Sequence, residues 1–179
     1  YGQRITVGCH GWRHKSWSAW PEDTDGFSSD LAKATEKIAK HAGDSFRPWF
    51  RAPGGYIAPW MVPVLAEQGY VLDTSMNPSW LVQRKAGKGN SWKDVSRAIE
   101  ESALVSRPWK THWSLPMNGP ALSLFPLSLI ARRGWKKAPR PFEIQSFEDD
   151  LMSSDSNITT LYWHLLDHAR KKWKPPLRW

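Results

Sequence analysis

Two histidines four residues apart, His10 and His14, lie in the string CHGWRHKSW. Neutral imidazole is a good ligand for zinc and other borderline divalent metals, and a catalytic zinc takes a third protein ligand, often a carboxylate, while keeping one position open. At this spacing two rings share a face only if the intervening segment turns helically; placement without a metal is the plain alternative. A second group follows in FRAPGG, where Arg51 could hold a carboxylate in a fixed fork and the turn through Pro53, Gly54 and Gly55 could aim backbone N–H groups at an oxyanion. A surface turn before a helix explains the same residues. The third element is Asp73 in LDTSMNPSW, a carboxylate at a strand end that could orient a base or ligate a metal, or else cap a helix or form an Asx turn.

These residues need elements to position them. Ile5, Val7 and Cys9 alternate with polar or small residues, which predicts a short strand ending just before His10 and directs the Cys9 thiol into the core. Leu31, Ala34, Ile38 and Ala42 are spaced for a helix over residues 28–41, with Gly43 behind it as its stop. The aromatic run before FRAPGG leads to a second helix from Pro59 through Glu67, with Pro63 tolerable only in or beside its first turn. GYVLDTS reads as the next strand, MNPSW as a turn and QRKAGKGN as a basic loop. Ser91 and Asp94 form a capping box ahead of a helix with Val95, Ala98, Ile99 and Ala103 on its apolar side.

Beyond position 107 the pattern thins. THWSLP reads as a strand, ALSLFPLSLIARRG as a helix broken at Pro126 or two short elements, PFEIQSF as a strand, EDDLMSSDS as a loop and residues 159–172 as a last helix. Neither a repeat nor a linker divides the sequence, so one domain over residues 1–179 is expected, with residues 107–179 as its less patterned C-terminal portion.

Composition bounds the function classes. The chain has 179 residues and is 40% hydrophobic, which argues against wholesale disorder. One cysteine excludes an intrachain disulfide, and no apolar run of about 18 residues is present to predict a membrane-spanning helix. Lys and Arg number 25 against 17 Asp and Glu, a net charge of +8 that favours anionic partners in first encounters. The 13 tryptophans serve equally as core scaffold or as stacking faces for sugars and nucleobases. Location stays open between the cytoplasm and the exterior.

Taken in order, HGWRH, FRAPGG and GYVLDTSMNPSW resemble the polysaccharide deacetylase family, the NodB-like carbohydrate esterases of family 4. The resemblance runs from about Gly2 to Trp80, and residues 109–143 are loosely similar to the C-terminal half of longer members. It implies an α/β fold, a distorted and here incomplete (β/α) barrel, and metal-dependent removal of acetyl groups from an N-acetylated, chitin-like or peptidoglycan-like carbohydrate. It makes His10 and His14 the ligands of Zn²⁺ or another divalent transition metal and Arg51 the residue that orients the catalytic aspartate. The backbone at Gly54 becomes an oxyanion donor, and Asp73 and Trp80 stand in the segment supporting catalysis and substrate. His168, in a stretch similar to the family's Leu-x-x-His ending, becomes the candidate general acid, with His112 as the other choice; the spacing of His164 and His168 also fits solvated places on a helix.

This sequence departs from the family's pattern in three places. Gly54 falls where a larger aromatic is usual, and the second aspartate near the tryptophan is replaced in NPSW. The family's paired-aspartate motif, supplying general base and third metal ligand, precedes the histidines, yet residues 1–9 contain neither Asp nor Glu. The pair is therefore expected from an upstream segment or a partner chain; otherwise the protein is a deacetylase-like structural or accessory subunit without hydrolysis. A different class of function is a nucleic-acid or anionic-polymer binding module, suggested by the basic, Trp-containing strings ARRGWKKAPR and RKKWKPPLRW.

Overall fold

The computed structural model describes residues 6–117, 119–137, 151–153 and 160. The chain divides into two compact units, Tyr1–Met76 with Gln83–Pro108, and Asn77–Val82 with Trp109–Trp179.

The first unit is α/β. Its strands β1 (Val7–Cys9), β2 (Phe46–Phe50), β3 (Leu72–Asp73) and β4 (Val105–Ser106) form one parallel sheet in the order β1-β2-β3-β4. Helices α1 (Thr24–Ala42), α2 (Met61–Glu67) and α3 (Trp92–Glu100) connect successive strands, as parallel pairing requires. The aromatic run of residues 46–50 is thus a strand that alternation did not reveal. It lies between β1 and β3 although it contains Pro48, which has no N–H to give to a ladder. The pairing accommodates this: Val7 faces Phe46 and Cys9 faces Phe50, so the register slips between β1 and β2, while the Pro48 carbonyl still accepts from Val71 N–H at 2.9 Å. At the slip the strands approach so closely that a Cβ on Gly8 would lie 2.7 Å from the Trp49 carbonyl oxygen.

Helix α1 begins earlier than residue 28, because Asp23 caps it by accepting the Gly26 N–H at 2.9 Å, and this brings Phe27 into the core beside Leu31 and Ala34. Phe27 meets Trp17, Phe50 and Trp60 edge to face at 5.8, 6.0 and 5.8 Å. Cys9 is buried, as strand alternation requires. Pro63 sits in the first turn of α2, where its missing N–H costs nothing. The Ser91–Asp94 capping box opens α3, whose buried residues are Trp92, Val95 and Ile99; Ala103 lies beyond the helix and is exposed. The segment read as a basic loop begins inside a 3₁₀ stretch, Trp80–Ala86, and turns Lys85 inward.

In the second unit, THWSLP is not a strand: Trp113 and Ser114 take φ of 52° and 56°, and His112 and Leu115 pair across a tight turn. The apolar segment forms two helices, α4 (Gly119–Ser123) and α5 (Leu127–Lys137), separated at Pro126. Their core consists of Met117, Ala121, Leu122, Ala131 and Trp135. Trp135 is the aromatic of the basic string ARRGWKKAPR, and with its ring buried and its indole N–H donated to the Met117 carbonyl at 2.6 Å it offers no face for a base to stack on. Leu151 and Met152, in the expected loop, are helical, and Thr160, in the expected last helix, bridges in parallel to Trp109. The expected strand at PFEIQSF, the rest of the last helix, His164, His168 and the string RKKWKPPLRW lie outside the described residues. No helix among the described residues is long and apolar enough to cross a membrane.

Candidate active site

The sheet's register builds the site. Cys9 faces Phe50, Phe50 faces Asp73 and Asp73 faces Ser106, so these residues form one row across the C-terminal ends of the strands. The next residues continue it, since Arg51 N–H donates to Cys9 O at 2.9 Å, Thr74 N–H to Phe50 O at 2.9 Å and Arg107 N–H to Asp73 O at 2.8 Å. His10, Arg51 and Thr74 thereby emerge side by side at the edge where open α/β sheets place their chemistry.

His10 is half-buried, with Nδ1 2.7 Å from the Arg51 carbonyl oxygen. A carbonyl only accepts, so Nδ1 carries the proton and, in neutral imidazole, the lone pair lies on Nε2. Metal-binding histidines are commonly fixed in this way through their other nitrogen. His14 meets the His10 ring edge to face, with centroids 5.0 Å apart and planes at 76°. The rings approach without the helical turn that their spacing suggested; Gly11 and His14 take φ of 79° and 54°, and the loop bends back through these left-handed residues. The exposed His14 and half-buried His10 provide two nitrogen donors, which fit part of a zinc shell. Among the described residues no group of three or more His, Cys, Asp and Glu side chains could hold a metal ion.

Arg51 donates from Nη2 to Thr74 Oγ1 at 2.9 Å. Asp73 is fully buried; Oδ2 accepts the Ser75 N–H at 2.9 Å and Oδ1 accepts the Ser75 hydroxyl at 2.5 Å. Ser75 Oγ in turn accepts the Ala52 N–H at 2.7 Å, joining the Asx turn after β3 to the loop after β2. Burial raises the Asp73 carboxyl to about 6, against the two Ser75 donors and the positive charge of Arg51, which favour the anion. Ser75 was not singled out from sequence, although Asp-x-Ser after a strand carries the Asx-turn signal.

Gly54 has φ 61° and ψ 7°, a left-handed conformation suited to glycine. A Cβ there would meet Tyr56 Cδ2 at 3.1 Å, so the Tyr56 ring crowds any side chain at position 54. The Gly54 carbonyl accepts from Lys85 Nζ at 2.6 Å, and the ammonium stands 5.2 Å over the Tyr56 ring. Burial, and secondarily the charge of Arg84, lowers the Lys85 pKa. Sequence reading missed Lys85, and its place in a string with two further basic residues hid it.

The remaining candidates are Trp80, His112 and His168. Trp80 is exposed and belongs to the second unit, as does His112, whose ring stacks on Trp113 at 4.9 Å and whose buried Nε2 has no hydrogen-bond partner among the described residues. His168 lies outside the described residues.

No curated protein and no solved structure matches the chain. A family model described as polysaccharide deacetylase matches residues 1–72, a span that includes His10, His14, Arg51 and Gly54 and ends one residue before Asp73. Residues 1–72 are thus similar to a polysaccharide deacetylase domain, in keeping with the NodB-like motifs that they contain.

Proposed function

We propose that the protein is a metal-dependent hydrolase that removes acetyl groups from an N-acetylated, chitin-like or peptidoglycan-like carbohydrate, and that its parallel strands belong to a distorted (β/α) barrel. The observation that carries this reading is the His10 Nδ1–Arg51 O hydrogen bond, which orients one imidazole beside the other at the sheet edge. His10 and His14 would hold Zn²⁺ or a similar ion, which when bound supplies a Lewis acid for the acetyl carbonyl. The backbone at Gly54 donates to the oxyanion, and Arg51 orients the catalytic carboxylate. Asp73, through Ser75, holds the Arg51 loop against β3. Trp80 offers a face to a sugar ring, and His168 returns a proton to the leaving amine; both roles rest on the resemblance. The general base and the third ligand are a carboxylate pair from an upstream segment or a partner chain.

The test is metal content together with acetate release from acetylated chito-oligosaccharides, using the full-length gene product with added Zn²⁺. Stoichiometric metal and release that stops with chelator are expected; no release overturns the hydrolase reading. The lack of a third ligand among the described residues favours a second reading, an accessory subunit that keeps the deacetylase-like shell, for which the same assay gives no acetate.

A further inference from the structure

Lys85 is tied at both ends to the loops of the candidate site. Its carbonyl accepts the hydroxyl of Ser18, a buried residue four positions after His14, at 2.6 Å. Its ammonium donates to the Gly54 carbonyl at 2.6 Å. Behind it, Gly87 allows close packing: with φ at 95°, a Cβ there would stand 3.2 Å from Ala58 Cβ and 3.6 Å from the Ser18 carbonyl oxygen.

The turn that Lys85 grips has a defined polarity. Gly55 N–H donates to Ala52 O at 2.9 Å and Tyr56 N–H to Pro53 O at 3.2 Å. A trans peptide sets its N–H opposite its C=O. The Pro53 carbonyl faces inward to Tyr56, so the Gly54 N–H on the same peptide points out of the turn. The next peptide is held on both sides, its carbonyl by Lys85 and its N–H by Ala52. Glycine pairs are the least restrained backbone, and without such a hold the direction of the Gly54 N–H would be one among many.

We propose that Lys85 is a positioning residue of the hydrolase: by clamping the Gly54 carbonyl and anchoring to Ser18, it fixes the Pro53–Gly55 turn so that the Gly54 N–H is aimed at the developing oxyanion. This rests on the hydrolase reading above. A fixed donor acts on the transition state more than on the bound ground state, so its loss is read in kcat more than in KM.

The experiment compares wild-type protein with Lys85→Met, Lys85→Arg and Ser18→Ala, and with Lys88→Met at an exposed lysine of the same segment as control. Amide hydrogen exchange over residues 53–56 and 92–100 is measured beside acetate release. For Lys85→Met the expected result is exchange at least about 10-fold faster at Gly55 and Tyr56, whose N–H groups close the turn, with α3 unchanged. A fall in kcat of about 10- to 100-fold with KM within about 3-fold accompanies it. Lys85→Arg, which keeps a cationic donor, recovers some of both, Ser18→Ala shifts both in the same direction by less, and Lys88→Met changes neither. Unchanged exchange in residues 53–56 overturns the proposal, as does a loss carried by KM alone. If Lys85→Met fails to fold, Lys85→Arg and Ser18→Ala decide by the same two readouts. Absence of acetate release by the wild-type protein overturns the hydrolase reading, and the exchange data then decide the clamp by themselves.

Discussion

The strand ends of the first unit and the α4–α5 pair of the second are built by different means. At the strand ends, residues far apart in sequence are set side by side by register, and their polar groups hold one another: His10 on Arg51, Arg51 on Thr74, Ser75 between Asp73 and Ala52. In the α4–α5 pair, an apolar core closes on Trp135, and the buried indole N–H donates to the Met117 carbonyl. The lesson is a difference in means: register brings polar groups together at the strand ends, and apolar packing joins the two helices.

The largest effect expected to sharpen this contrast is at Trp135. Trp135→Ala should lower the unfolding free energy of the second unit by about 3–5 kcal/mol in urea titration, while leaving Zn²⁺ affinity unchanged; a matching loss of metal binding would break the contrast. Next comes Asp73. The folded protein keeps its proton up to about 6, whereas the ordinary value is 3.8, so the stability it contributes is full below pH 4 and lost as pH rises through 6. That step amounts to about 3 kcal/mol, and Asp73→Asn should flatten it in denaturation curves taken between pH 4 and 7. His10→Ala should then weaken Zn²⁺ binding at least about 100-fold by calorimetry, with the thermal midpoint of the second unit unmoved. The smallest change is Ser75→Ala, expected to cost about 2 kcal/mol by orphaning a buried carboxylate oxygen and the Ala52 N–H; a neutral result would mean that the relay between the two loops carries no weight.

Much of the first unit was legible because its signals are local. Leu31 and Ala34 repeat at helical spacing, Ser91 and Asp94 announce a helix start, and Gly43 and Gly69 stop helices at φ 51° and 78°. The strand at residues 46–50 was hidden because Pro48 and aromatic residues on both faces erase alternation, and its identity depends on pairing with partners elsewhere in the chain. The site divides in the same way. His10, His14, Arg51 and Gly54 are visible as motifs, while Ser75 and Lys85 matter through partners at residues 52 and 54, separated from them by 23 and 31 positions. The approach of the two imidazoles was anticipated by the wrong route, since spacing implies a helix whereas left-handed Gly11 and His14 achieve it in a loop. In the second unit, the turn at Trp113 and Ser114 uses left-handed residues that no glycine announces.

The contact between Gly8 and the Trp49 carbonyl has a consequence for what a mutational scan of this chain would show. Position 8 is exposed, and by its surroundings it would be classed among surface sites tolerant of substitution. Yet any side chain there must drive its Cβ into a main-chain oxygen that has no rotamer by which to move aside, so β1 and β2 would be forced away from each other just ahead of His10. Glycine at this position is a spacing rule written in one residue: the scan should find position 8 closed to the other nineteen amino acids.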